Sequence, residues 1–90
     1  MAKAIVDPAE LRRFAQTLKK FNSDLQSQMS GLHGQMATLS QTWRDQEQRK
    51  FAEEFEQTMK VIARFVDITE QHIPFLLRKA DRAEEYLQQR

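Results

Sequence analysis

Leu11, Leu18, Leu25, Leu32 and Leu39 recur every seven residues, with Phe14 and Phe21 beside them in the first half and Met29 and Met36 in the second. Such spacing draws one stripe along an α-helix, and the stripe rotates slowly because 3.6 residues per turn does not divide seven. A start signal precedes it. Asp7 suits the N-cap, Pro8 the first helical position, Glu10 the return arm of a capping box, and Val6 with Leu11 a hydrophobic staple. These features predict a helix over about 8–40. Its weak point is Ser30-Gly31-Leu32-His33-Gly34, since each Gly in a helix interior costs about 1 kcal/mol relative to Ala. The stripe crosses this segment in phase, which predicts an unbroken helix with low local stability or a close helix crossing.

Between Ser40 and Asp45 the apolar pattern lapses and polar residues surround Trp43. A short reversal over 41–45 follows. Asp45 and Gln48 then have capping-box spacing, and Phe51, Phe55, Met59, Ile62, Val66, Thr69, Ile73, Leu76, Ala80, Ala83 and Leu87 advance by threes and fours. A second helix is predicted over about 45–88. Pro74 lacks an amide donor and crowds the carbonyl of Glu70, so a kink or short break is expected near 70–74, with the preserved phase favouring a kink. The fold class is therefore all-α: an antiparallel helical hairpin, one domain over 1–90.

The second helix carries more apolar surface than one partner helix covers. On a helical projection of about 100° per residue, Val61, Phe65, Ile68 and Phe75 widen the stripe to an arc of roughly 180°. Ordering a chain of this size costs on the order of 1.5 kcal/mol per residue, which a lone hairpin seam does not offset. The expectation is a dimer forming a four-helix bundle, with Val61, Phe65, Ile68 and Phe75 at the interface. The alternative is a break at Pro74 after which the last part of the helix folds back over these residues.

Composition narrows the chemistry. The 90 residues carry 14 Lys and Arg against 13 Asp and Glu, a net charge of +1. Residues 1–42 hold five basic and three acidic side chains and residues 43–90 nine and ten, so no basic stripe for nucleic acid forms. The apolar run Phe75-Leu76-Leu77 is as long as any, far short of a membrane span, and the N-terminus lacks the apolar stretch of a secretory signal peptide. With no Cys there is no thiolate metal site or thiol nucleophile. His33 and His72 lack metal-motif spacing; His33 is expected to face solvent and His72 to lie at a dimer interface or in the core. Glu53, Glu54 and Glu56 cluster near the start of the second helix, where the macrodipole favours acids and Arg49, Lys50 and Lys60 stand at pairing distances. Gly31 and Gly34 have no Lys-Ser/Thr sequel of a phosphate loop. Neither enzyme activity, a cofactor nor a small-molecule substrate is expected.

A single Trp in the turn between two long amphipathic helices, in a chain of this length without Cys, resembles the WXG family, the ESAT-like small secreted proteins of type VII (ESX-like) secretion. The turn reads Thr42-Trp43-Arg44-Asp45, with Asp45 where the family has Gly. Tyr86 matches the tyrosine of the family's C-terminal export signal, but Arg90 stands four residues on where the family has an acid. The resemblance implies a homodimer, or a heterodimer with a paralogous hairpin, made in the cytoplasm and exported without a signal peptide. It also implies Trp43 and Asp45 as turn motif and Tyr86 as export recognition residue. The competing functional class is a cytoplasmic adaptor or secretion chaperone whose groove holds a client's amphipathic helix.

Overall fold

The structure, a computed structural model, describes residues 6–89. It consists of two helices, α1 (Pro8–Thr42) and α2 (Gln46–Gln88), folded back on each other through Trp43-Arg44-Asp45. The hairpin is a rod of 70 × 17 × 14 Å. Its length is that of α2, whose 43 residues at about 1.5 Å each span roughly 65 Å.

Both helix starts are capped. The Asp7 carboxylate accepts from the Ala9 amide at 2.9 Å with Pro8 opening α1, and the Asp45 carboxylate accepts from the Gln48 amide at 2.9 Å. Neither forms the reciprocal bond expected from sequence. Among the described residues Glu10 makes no return bond, and Gln48 turns its amide across the reversal, donating to Ser40 Oγ at 2.9 Å. Gln48 is buried as a result. Its side chain ties the end of α1 to the start of α2.

α2 runs through Pro74 without interruption. The short break considered at 70–74 does not occur, and neither does a fold-back of the last part of the helix. α1 is likewise unbroken through Gly31 and Gly34. A methyl group built at either glycine would meet nothing within 4 Å. No close helix crossing explains these glycines, so the segment is simply a stretch of weak helix propensity.

The seam is narrower than the apolar stripes suggest. Buried in it are Ala15 and Asn22 from α1 and Met59, Val66, Ile73 and Ala80 from α2. Leu11, Leu18, Leu25, Met29 and Met36 are half-buried, while Leu32, Leu39, Phe14 and Phe21 are exposed. Ala15, Asn22, Val66 and Ala80, all at most 1% exposed, let the helices approach closely, and Met59 and Ile73 fill the space between them. The leucines and phenylalanines lie along its edge.

Candidate interaction surface

On α2, a projection of about 100° per residue from Val66 places Phe65 and Val61 on one flank of the seam, with Ile68 and Phe75 beside them on the outer face, and Asp67, Glu70 and Asp81 on the other flank. The two flanks are chemically distinct. On the first, Phe21 of α1 meets Phe65 of α2 edge to face with ring centroids 6.2 Å apart. An open groove of about 430 Å³ runs beside this pair between Phe14, Leu18, His72 and Phe75. Towards the turn a second groove of about 540 Å³ lies among Leu32, Met36, Leu39, Phe51 and Phe55. Val61, Phe65, Ile68 and Phe75 are 69%, 45%, 42% and 51% exposed. These side chains pack only partly within the hairpin, and with Phe14, Phe21, Leu32 and Leu39 they are among its exposed large apolar residues.

The opposite flank carries the polar clamps. Near the termini the Arg12 guanidinium lies 2.8 Å from Asp81 and 2.6 Å from Glu84. Hydrogen bonds from Arg12 to Asp81 and then to Glu84 hold its pKa above the ordinary value, so it stays charged at any working pH. All three side chains are solvated enough that the clamp orients more than it stabilises. In mid-seam, Asn22 Nδ2 donates to Thr69 Oγ1 at 2.8 Å and to Glu70 Oε2 at 2.9 Å. Asn22 is only 1% exposed, and its Oδ1 has no partner. Nearer the turn, His33 Nδ1 approaches Glu56 at 4.0 Å and its ring tilts onto Phe55 at 5.7 Å.

Several sequence expectations change here. His33 is exposed, yet it contacts α2 rather than facing only solvent. Glu56 meets His33 instead of a neighbouring Arg or Lys on its own helix. His72 is no core histidine of the protomer; it is exposed on the rim of the apolar groove. The seam role of Asn22, the Gln48–Ser40 bond and the Arg12 clamp were missed. For Asn22 a signal existed, since Ala15, Asn22, Met29 and Met36 keep seven-residue spacing. Among the described residues no group of three or more His, Cys, Asp or Glu side chains converges to hold a metal ion.

At the turn, Trp43 is half-buried and its ring lies 5.7 Å from that of Phe51, which is in turn 6.1 Å from Phe55. Its backbone amide closes α1 on the Leu39 carbonyl at 2.9 Å. Asp45 has φ −85° and ψ −174°, ordinary extended backbone, so this turn requires no glycine at that position. Tyr86 stands exposed near the end of α2, and Arg90 lies outside the described residues.

Comparison with known proteins gives a consistent result. The chain is similar in structure to the secreted protein EsxB of Bacillus anthracis str. Sterne, at 33% identity over 91% of this chain and 88% of that one, with a TM-score of 0.77. A proline-to-alanine variant of EsxB is similar at 32% identity, covering 94% of this chain and 96% of that one, with a TM-score of 0.80. A glycine-to-alanine variant is 33% identical over 91% and 94% of the two chains, with a TM-score of 0.75. No curated protein matches the chain. Among the described residues no helix is long and apolar enough to cross a membrane. Residues 4–86 match the family of proteins of 100 residues with WXG, and the chain belongs to this WXG100 family.

Proposed function

We propose that this chain is a non-enzymatic substrate or partner of a type VII (ESX-like) secretion system, acting through protein–protein contact as half of a four-helix bundle. The observation that carries the reading is the apolar face. Phenylalanines and aliphatic residues from both helices line one side of a hairpin whose own seam buries little. A face of this kind marks a protein interaction site. Family membership and likeness to a secreted protein supply the setting.

In this reading Val61, Phe65, Ile68 and Phe75 form the subunit interface, Trp43 and Asp45 shape the recognised turn, and Tyr86 serves export. Sedimentation equilibrium at tens of micromolar is expected to show a dimer, and monomer alone counts against the interface. In the native host, wild-type protein is expected in the culture medium and Tyr86→Ala protein in the cell pellet. No wild-type protein outside the cell removes the secretion assignment. The open grooves beside Phe75 and Phe51 also suit a client's amphipathic helix, as an adaptor or secretion chaperone would require. That reading predicts a chain poorly behaved alone and stabilised only by its client.

A further inference from the structure

Beyond Phe75 the face of α2 turned away from α1 changes from apolar to cationic. On the projection from Val66, Arg78, Arg82, Tyr86 and Lys79 share an arc of roughly 100° opposite the seam. Arg78, Lys79 and Arg82 are exposed, and none of them pairs with a carboxylate among the described residues. The nearby acids lie elsewhere. Asp81 and Glu84 turn to Arg12 on the clamped flank, and Glu85 stands at the edge of the cationic arc.

Tyr86 stands within this arc, 49% exposed. Three, four and seven residues before it come Ala83, Arg82 and Lys79, its neighbours on the helix surface. None is acidic. A phenol framed by cations is a surface that an anionic protein can read, since Tyr and Arg are enriched among the residues that dominate protein contacts. A guanidinium fork also takes a carboxylate on two parallel hydrogen bonds. A lipid surface asks for more, roughly four to eight clustered cations. The three cations here, on a chain of net charge +1, suit the carboxylates of a short protein segment.

We infer that the outer face of the last turns of α2 docks an acidic segment of another protein, with Tyr86 as the aromatic anchor and Arg78, Lys79 and Arg82 as the frame that takes its carboxylates. The inference rests on the assignment of Tyr86 to recognition and adds the chemistry of what reads it. It departs from the family signal, in which an acid follows the tyrosine. Here the cations lie on the chain itself, so the complementary surface carries the acids.

Fluorescence anisotropy of a labelled oligoglutamate peptide with the full chain at low salt tests the surface. Wild type is expected to bind, and the double variant Lys79→Glu, Arg82→Glu to bind about tenfold more weakly, with the difference shrinking in about 0.5 M salt. The double variant Lys50→Glu, Lys60→Glu makes the same change in net charge at exposed positions elsewhere on α2 and is expected to lose far less. A wild type that does not bind, or a control that weakens as much, overturns the surface. Phosphatidylserine vesicles are expected to stay unbound; vesicle binding that Lys79→Glu, Arg82→Glu abolishes replaces the protein partner with a membrane and overturns the inference. In the native host that variant is expected in the cell pellet, as Tyr86→Ala is, with unchanged helical circular dichroism. Its export at the wild-type level overturns the link to Tyr86 and leaves the secretion assignment standing. Peptide binding intact with wild type absent from the medium supports the surface and removes the secretion assignment.

Discussion

Asp45 stands where a WXG turn has glycine, and the backbone shows why the exchange is tolerated. Its φ is negative and its carboxylate caps α2 by accepting from the Gln48 amide. Asp45→Ala is expected to lose about 1 kcal/mol, because the amide is left uncapped, whereas Asp45→Gly should lose only a few tenths. Thermal unfolding of the two variants side by side measures this, and equal losses would mean that the cap contributes nothing. Asn22 poses the opposite case, a polar residue at the centre of the seam with an unpartnered Oδ1. Asn22→Leu is expected to raise the urea midpoint by the equivalent of about 1 kcal/mol, since a buried unsatisfied acceptor disappears. The same change should loosen register and admit larger assemblies in light scattering, because a lone seam Asn disfavours slipped pairings. A lower midpoint would show that the bonds to Thr69 and Glu70 outweigh the orphaned oxygen.

α1 illustrates which part of an element a sequence reveals. The leucine repeat locates the helix and its extent, since a seven-residue period has one compatible backbone. It misplaces the centre of the contact. Weighting by side-chain size draws the eye to Leu and Phe, but the axis of closest approach is held by Ala15 and Asn22. Neither residue advertises burial by its own chemistry. The bond from Gln48 to Ser40 was hidden for another reason: capping-box spacing offered a local partner, while the true one arrives only when the chain reverses. The glycines were ambiguous because a weak helix and a tight crossing look alike in sequence, and the open space at Gly31 and Gly34 decides between them. Ala at each position is therefore expected to stabilise the protein by about 1 kcal/mol through helix propensity alone. Chemical denaturation reads the gain. A loss instead would show that these positions approach another chain closely.

The hairpin as a whole has one clamped side and one greasy side. The Arg12 and His33 contacts lie along the first, at the termini and towards the turn, with Asn22 between them at the centre of the seam. The second side was legible on α2, whose arc exceeds what one neighbour covers. On α1 it is not, because Phe14 and Phe21 stand beside the leucine repeat and merge with it into one stripe. Ile68 gives the sharpest test of what this side does, since it projects away from α1 and remains 42% exposed. Ile68→Asp should leave the hairpin folded, with unchanged helical circular dichroism, because an exposed carboxylate on a helix surface is easily solvated. If this side is the proposed subunit interface, the same carboxylate would be buried among apolar side chains without a counter-charge, and stranding a charge in that setting costs several kcal/mol. Dimer affinity is therefore expected to fall by at least about 100-fold. A variant that still sediments as a dimer at wild-type concentrations would place the interface elsewhere on the rod.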